Sequence, residues 1–466
     1  MSLTEGPVRD KLFRLWLPMI GGVLAVKAID ISDAYFVGQL GSDSLAAISF
    51  TFPVVMTLIS LSIGLSSGAS SVLSRAIGAG AGQDRQQGIV AGTVGLATLI
   101  SIVLAIVGFL IIEPLFRLLG AEPELMPDIV GFMRIWFAGS LFLILPIAVT
   151  GLIRATGDGA TPAILMAFIA VLNIGLNPVF IFGLGPVPAL GMEGAAVATV
   201  IARALATILA CQMLWKRGLL DLSLEPLRRG VRQWREISVI GLPASLSTSL
   251  NPVALAIATA AVATLGTDQV AAFGVVTKIE AFAVVPLLAL SSASAPFVGQ
   301  NSGGGNEERS REALLWCCGI AGVWTVFIVV VLALVARPLL LPAFTDSGDV
   351  IAFGALYLMI VPWTFAGYGI TVALSAGMNG LGRSITALCI SGGRAIGLLA
   401  PLAWLGVLFG DFIGVAAGVA TANVIAGLVS VVVIFRHNLQ VREKEYSAKT
   451  ESTGKSGQSA ASGNAA

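Results

Sequence analysis

The sequence predicts an all-α integral membrane protein with twelve transmembrane helices in two six-helix lobes. Composition, hydropathy and an internal repeat support this prediction. The chain is 56% hydrophobic and only 11% charged, and its mean hydropathy is +0.92. Soluble domains carry about 25% charged residues, so this composition indicates a chain that lies largely in lipid.

Twelve apolar runs are long enough to cross a hydrocarbon core about 30 Å thick, which requires about 20 helical residues. The predicted spans are residues 12–38, 45–74, 88–112, 129–153, 161–183, 192–215, 236–264, 270–298, 312–336, 351–377, 385–408 and 412–435. Loops rich in Lys and Arg alternate with acidic loops, and positive loops stay in the cytoplasm. We therefore expect a multi-pass protein of the inner (plasma) membrane with both termini cytoplasmic. No small-residue cleavage site follows the first run, so we expect no cleaved signal peptide.

The two halves of the chain are related by an internal repeat. The heptapeptide that begins at Gly41 matches the one that begins at Gly266, an offset of 225 residues. Each half has an even number of spans, so the halves enter the membrane in the same orientation and form parallel repeats about a pseudo-two-fold axis. The predicted units are an N-terminal lobe (1–215), a cytoplasmic connector (216–235), a C-terminal lobe (236–436) and a disordered cytoplasmic tail (437–466).

Two carboxylates, Asp30 and Asp33, lie inside the first apolar run. A charge at the centre of a membrane helix costs roughly 3 kcal/mol on insertion scales, so it usually marks an ion or substrate pathway. The spacing i, i+3 puts both acids on one helix face. Lys27 lies three residues before Asp30 and could neutralise it, which leaves Asp30 with two alternative roles. The repeat puts Ala258 opposite Asp33, so we expect the polar groups, and the coupling ion, to belong to the first lobe.

Several functions are disfavoured by composition. The net charge of +1 gives no support for nucleic-acid binding, which requires a basic face. The single histidine, His437, follows the last apolar run, so neither a histidine-based nucleophile dyad nor a histidine-rich metal site can be assembled. We therefore expect neither an enzyme nor a protein with a cofactor. The cysteines lie within or at the ends of apolar runs, where we expect them to be small apolar fillers.

The stretch Ser32-Asp33-Ala-Tyr-Phe-Val-Gly38-Gln-Leu-Gly41 resembles the multidrug and toxic compound extrusion (MATE) family, closest to its DinF-like branch. Further stretches that carry the resemblance are residues 45–47, 151–158, 172–183, 270–272, 278–286 and 296–301. The resemblance covers roughly residues 10–437. It implies a V-shaped antiporter that exports organic cations and other amphiphilic toxicants in exchange for H+ or Na+.

The resemblance also assigns candidate coupling residues. The family's first-helix aspartate corresponds to Asp33, its fifth-helix polar pair to Asn173 and Asn177, and a sixth-helix threonine to Thr199. Some members carry Asp where this chain has Asn177, which puts a two-carboxylate site in doubt. The oxygens of these four residues could also hold Na+, and no other metal is expected. In some members the first helix bends at a proline, which corresponds to Pro18.

Further candidates complete the predicted site. Asp30 is a second candidate for cation coupling, and we expect four residues to line the substrate cavity: Tyr35, Gln39, Lys278 and Glu280. The expected partners are small organic cations and drugs together with membrane lipid, and the expected state is a monomer.

Two alternatives remain open from the sequence. The amides of the fifth span and the sixth-span threonine could serve only as interhelical hydrogen bonds. The chain could also be a flippase for lipid-linked or lipid-like substrates, since that class resembles this one in architecture. Such proteins typically need several cationic groups to hold pyrophosphate, and the runs here offer chiefly four: Lys27, Arg203, Lys278 and Arg394.

Overall fold

The structure is a computed structural model that describes residues 2–221 and 224–436. Ten of its helical segments are each long and apolar enough to cross a membrane, and two bent helix pairs bring the total to twelve spans. The predicted twelve-span fold is confirmed. The predicted tail and His437 lie outside the described residues.

The helices are numbered in chain order. In the first lobe they are α1 (Val8–Gly38), α2 (Ser42–Gly78), α3 (Gln83–Leu118), α4 (Met126–Ala138), α5 (Ser140–Ala155), α6 (Ala160–Phe182) and α7 (Met192–Lys216). The connector contains α8 (Leu224–Val231). The second lobe contains α9 (Trp234–Ala263), α10 (Thr267–Ala283), α11 (Val285–Gly303), α12 (Glu307–Val335), α13 (Gly348–Ile360), α14 (Phe365–Gly380), α15 (Ser384–Gly392) and α16 (Ala400–Arg436).

The internal repeat of the sequence is also seen in the bounds of the helices. The offset of 225 residues moves α2, Ser42–Gly78, onto the range of α10 and α11, which runs from Thr267 to Gly303. The fourth span is bent by 49° between α4 and α5, at Gly139. The same offset moves Gly139 onto Thr364, the last residue of a short 3-10 segment that separates α13 from α14. The repeat therefore preserves these helix bounds and a helix break at this position, whereas the 46° bend between α10 and α11 falls where α2 is continuous.

The last two spans fold back on each other within α16. The chain turns at Asp411, whose φ of 54° lies in the left-handed region. A β-carbon added at Gly406 would lie 2.3 Å from the Gly414 carbonyl oxygen, and one at Gly418 would lie 2.4 Å from the Leu402 carbonyl oxygen. This close backbone contact defines an antiparallel pair of spans, residues 384–409 and 411–436.

The connector between the lobes packs on the first lobe. A β-carbon at Gly92 of α3 would lie 2.5 Å from the Gly230 carbonyl oxygen of α8, and the Trp234 indole donates to the Gly92 carbonyl oxygen at 2.9 Å. The short helix therefore lies directly against α3 rather than standing apart from the bundle.

A charged loop ties the start of the connector to the start of α6. The Asp158 carboxylate accepts hydrogen bonds from the Thr161 amide at 3.0 Å and from the Arg217 guanidinium at 2.5 Å. Partial burial acts to raise the pKa of Asp158, but the hydrogen bonds from Thr161 and Arg217 outweigh it and hold the pKa below the ordinary value. The carboxylate therefore stays ionised and caps the N-terminus of α6.

The two lobes meet along α2 and α9. A β-carbon added at Gly68 would lie 2.4 Å from the Ile237 carbonyl oxygen, and one at Gly64 would lie 2.5 Å from the Gly241 carbonyl oxygen. Small residues allow membrane helices to approach this closely. The interface is therefore built on main-chain contact, and it leaves no space for larger side chains.

Hydrogen bonds also join the lobes at the end of the bundle that holds the N-terminus. Gln300 of α11 accepts from the Leu3 amide at 2.9 Å and donates to the Ala155 carbonyl oxygen at 2.6 Å. Arg309 of α12 donates to the Gly6 carbonyl oxygen at 2.9 Å. The segment before α1 is thereby held between the lobes.

Replacing Gly68 by alanine should destabilise the protein. The new β-carbon would contact backbone, which cannot move aside without separating α2 from α9, and overpacking of this kind costs about 1–3 kcal/mol. Gly21→Ala is the matched control, because nothing lies within 4 Å of the added carbon there. We expect thermal unfolding of the purified protein to occur at a lower temperature for Gly68→Ala only. Equal stability of the two variants would contradict the close interface.

Candidate functional site

Residues from three helices of the first lobe meet around Asp33. Asp33 lies on α1, the two asparagines Asn173 and Asn177 lie on α6, and Thr199 lies on α7. The asparagines are four residues apart, about one helical turn, so both face the same side of α6. Because α6 packs against both α1 and α7, that side is enclosed by the two neighbouring helices. All four residues predicted for cation coupling through the family resemblance therefore lie in one cluster.

A directed chain of hydrogen bonds connects the cluster. The Asn177 amide nitrogen donates to Asp33 Oδ1 at 2.6 Å and to Asn173 Oδ1 at 3.3 Å. The Asn173 amide nitrogen donates to Thr199 Oγ1 at 2.9 Å, and the Thr199 hydroxyl donates to the Ala195 carbonyl oxygen at 3.0 Å. Asp33 is therefore the acceptor at one end of a chain that crosses from α1 to α7.

The asparagines of the cluster are completely enclosed. Asn173 and Asn177 are 0% exposed. Within the described chain, the Asn177 side-chain oxygen is buried and has no hydrogen-bond partner. A buried unpaired acceptor costs about 1–3 kcal/mol and requires an explanation. An acceptor beside a carboxylate is suited to receive a proton or a cation that binds there.

Asp30 lies outside this chain of hydrogen bonds. Its carboxylate pairs with Lys27 at 2.9 Å, and the two side chains are 52% and 33% exposed. This geometry corresponds to the ion pair that the spacing of Lys27 and Asp30 allowed. The coupling role of Asp30 stays a prediction.

The four residues expected to line the substrate cavity differ in their exposure, and their role stays a prediction. Tyr35 is 62% exposed, and Gln39 and Lys278 are also exposed. Glu280 alone of the four lines the cavity of the second lobe, where its carboxylate accepts a hydrogen bond from Tyr357 at 3.2 Å. Lys278 and Glu280, two residues apart, thus occupy different faces of α10.

Pro18 lies within a helix that continues on both sides of it. The helix α1 runs from Val8 to Gly38 as one element. Bending of α1 at Pro18 stays a prediction about a second conformation.

One charged residue near the cluster was not assigned to it from the sequence. Arg203 lies on α7 one turn beyond Thr199, and it interacts electrostatically with Asp33. Its Nε atom is buried and has no hydrogen-bond partner among the described residues. The spacing of four residues from Thr199 was the available signal, because it puts Arg203 on the same face of α7.

The second lobe holds a polar cluster of its own, which corrects the expectation that polar groups belong to the first lobe. Arg394 donates to the side-chain oxygens of Asn423, at 3.0 Å, and of Asn251. Both asparagines line a cavity of about 510 Å3 together with Arg394 and Glu280. The signal for this cluster in the sequence was Arg394 itself. It is a basic residue inside an apolar run, and its counterpart in the first half is the apolar Ile169.

Comparison with known proteins identifies the family to which this architecture belongs. The MatE family model matches residues 18–179 and, a second time, residues 243–405. The chain belongs to the MatE family. The two matches begin 225 residues apart, which is the offset of the internal repeat. The chain is therefore a multi-pass membrane transporter of the multidrug and toxic compound extrusion type, and not an enzyme.

Curated relatives and solved structures agree with this assignment. A Shewanella oneidensis protein named FAD transporter is 33% identical over 429 residues, which cover 92% of this chain and 94% of that protein. The probable multidrug resistance protein YoeA of Bacillus subtilis is 28% identical over 375 residues, or 78% of this chain and 80% of that protein. A crystal structure of a mutant of the Vibrio cholerae MATE transporter VcmN has a TM-score of 0.86 at 30% identity and covers 93% of this chain and 98% of that chain.

Replacing Asn177 by alanine should reveal the charge of Asp33. Hydrogen bonds to ionised groups contribute about 1.5–3 kcal/mol, so we expect the free energy of unfolding to fall by about that amount when Asp33 is ionised. The loss should be smaller in mildly acidic buffer, because a protonated carboxyl group has no charge that depends on the donor. Thermal unfolding at several pH values measures the effect, with the exposed Asn306→Ala as the control. A loss that does not change with pH would contradict the interaction.

Proposed function

We propose that this chain is a secondary active antiporter in which Asp33 carries the coupling cation. It exports organic cations and amphiphilic toxicants across the inner (plasma) membrane as a monomer, with both termini in the cytoplasm. The observation that carries the proposal is the enclosed hydrogen-bond chain that ends on the Asp33 carboxylate. A carboxylate of this kind, within a transmembrane helix and bonded by the Asn177 amide of a neighbouring helix, is typical of an ion pathway.

The hydrogen bonds favour H+ over Na+ as the coupling ion. Na+ is held by several oxygen ligands at once. Here the Asn173 and Thr199 side-chain oxygens already accept hydrogen bonds from amides of the cluster. A proton requires only the carboxylate and one neighbouring acceptor.

Asn177 can serve both states of Asp33. Its amide nitrogen donates to the ionised carboxylate, as the structure has it, while its oxygen is unpaired within the described residues. When Asp33 is protonated, its hydroxyl can donate to that oxygen if the amide turns by half a rotation, because the two ends of an amide have nearly the same shape. Proton binding would therefore reverse the hydrogen bond at the contact of α1 with α6, and it would also break the bond from the Asn177 amide nitrogen to Asn173 Oδ1.

This exchange provides a route from proton binding to substrate release. Protonation of Asp33 removes the charge that holds the Asn177 donor, and α1 then repacks around Pro18. The first-lobe cavity shrinks and the bound substrate is expelled outward. The exposed Lys27–Asp30 pair lies one turn earlier on α1 and can move with it.

Multidrug export is supported by the relatives, and lipid-linked substrates are supported less. Relatives from Bacillus and Staphylococcus are named multidrug resistance or multidrug export proteins. A flippase of lipid-linked substrates needs several cations around one cavity. Of the four candidate cations, Lys27 is paired with Asp30, Lys278 is exposed, Arg203 lies near Asp33, and Arg394 alone of the four lines the cavity of the second lobe.

Replacing Asp33 by asparagine should abolish coupled export without unfolding the protein, because the amide has the shape of the carboxyl group but cannot exchange a proton. Export of a fluorescent organic cation from proteoliposomes, first under an imposed pH gradient and then under an imposed Na+ gradient, measures coupling. Asp43→Asn, an exposed carboxylate at the start of α2, is the matched control.

We expect the pH gradient to drive export in the wild type and in Asp43→Asn, and not in Asp33→Asn. Full export by a folded Asp33→Asn variant would contradict the coupling role. Export driven by Na+ alone would overturn the assignment of the ion. If neither gradient moved the cation through folded wild-type protein, lipid-linked substrates would be the next class to test.

A further inference from the structure

The second lobe contains an aromatic cavity that the Asp33 cluster does not use. Its volume is about 510 Å3, within the usual range of small-molecule sites. Aromatic side chains from three helices of the second lobe and from α2 of the first lobe line it: Phe52, Phe273, Tyr357, Phe365 and Tyr368. A cavity of this size with several ring faces is suited to a planar aromatic ligand.

Arg394 brings a positive charge to the wall of this cavity. The side chain is 6% exposed and lies in a π-helical turn, Gly393–Leu399, a geometry that is frequent at functional sites. Two asparagine side-chain oxygens accept from its guanidinium, and the guanidinium carbon lies 4.8 Å from the centre of the Tyr368 ring. These contacts fix the plane of the guanidinium.

The partners of Arg394 hold the charge without cancelling it. Asn251, Asn423 and Tyr368 are all neutral, and no salt bridge among residues 2–221 and 224–436 includes Arg394, whose nearest opposite charge is felt electrostatically from Glu280 in the same cavity. A buried charge is costly unless it is paired, so an arginine without a direct salt bridge at a cavity wall is suited to an anionic ligand. Guanidinium groups bind phosphate and carboxylate through paired, parallel hydrogen bonds.

Glu280 makes the cavity bipolar. It lies on α10 and lines the same cavity, and its carboxylate accepts a hydrogen bond from the Tyr357 hydroxyl. A ligand that carries hydrogen-bond donors on its ring system can satisfy this carboxylate while its anionic group faces Arg394. The two charges therefore specify both ends of the ligand.

We propose that the cavity of the second lobe binds heteroaromatic anions, in which a planar ring system with N–H donors carries a phosphate or carboxylate group. Arg394 is the counter-ion of the anionic group, and Glu280 accepts from the ring. The proposal extends the substrate class beyond organic cations, and it rests on the proposed antiport function only for the transport that follows binding. The Shewanella oneidensis relative is named for FAD, a compound of this chemical class.

Equilibrium binding to the purified full chain in detergent tests the proposal without any ion gradient. Riboflavin and FMN share one ring system, and only FMN carries a phosphate. We expect the wild type to bind FMN about ten- to hundredfold more tightly than riboflavin, measured by quenching of flavin fluorescence. Inorganic phosphate should compete with FMN but not with riboflavin. Equal affinities for the two flavins, or no binding of FMN, would overturn the proposal.

Variants of Arg394 test whether this residue distinguishes FMN from riboflavin. Arg394→Gln should reduce the FMN affinity to that of riboflavin, and Arg394→Lys should keep part of the preference because it keeps the charge. Arg117→Gln, which removes an arginine that is 72% exposed on the first lobe, is the control and should bind as the wild type does. A full preference for FMN in Arg394→Gln would assign the anion to another site and overturn the proposal. If Arg394→Gln does not fold, the relative affinity of the wild type for the two flavins still decides whether the cavity binds the anionic group.

The proposal of anion binding and the proposal of antiport can be contradicted independently of each other. Wild-type protein that discriminates FMN from riboflavin but moves no substrate under either gradient supports this inference and contradicts the antiport function. Protein that exports the organic cation but does not discriminate the flavins supports antiport and overturns this inference alone.

Discussion

The hydrogen bond from Asn177 to Asp33 is the interaction on which the first lobe depends. It joins α1 to α6 at a point where a carboxylate would otherwise lack a donor inside an apolar helix bundle. Asn173 and Thr199 extend the bond to α7, so the position of three helices and the charge of one residue are linked. A change in the charge of Asp33 must therefore change the packing of α1, which is what a cation-coupled transporter requires.

The two lobes share one fold because of the duplication, but each lobe has a different polar site. Ala258 takes the place of Asp33 in the second lobe, while the second-lobe residues Glu280 and Arg394 have the apolar counterparts Val55 and Ile169 in the first. Helix bounds such as those of α2 and of α10 with α11 are repeated because both copies of the unit are apolar helices of the same length, although the 46° bend between α10 and α11 has no counterpart in α2. The polar side chains differ because each lobe needs only enough small and apolar residues to pack, which leaves individual positions free to take a charge. One lobe can then respond to the coupling ion while the other binds a ligand.

The sequence was sufficient for the fold and for part of the site. The spans could be predicted because lipid requires long apolar helices, and the repeat could be predicted because its glycine-rich turns recur at Gly41 and Gly266. The bend at Gly139 left no signal in hydropathy, since both arms are apolar. Asp33 was conspicuous as a charge in an apolar run, and its asparagine partners came from the family resemblance. The partners of Arg394 were not predictable, because Asn251 and Asn423 are far from it in sequence and meet it only after folding.

The most direct test of the account is the proton released when substrate binds to purified protein in weakly buffered detergent solution. If Asp33 holds the coupling proton and the substrate competes with it, saturating organic cation should release up to about one proton per wild-type molecule and none from Asp33→Asn. A pH-indicator dye records the release, and Asp43→Asn should match the wild type. Substrate binding without proton release in the wild type, or equal release from Asp33→Asn, would contradict the claim that Asp33 couples proton binding to export.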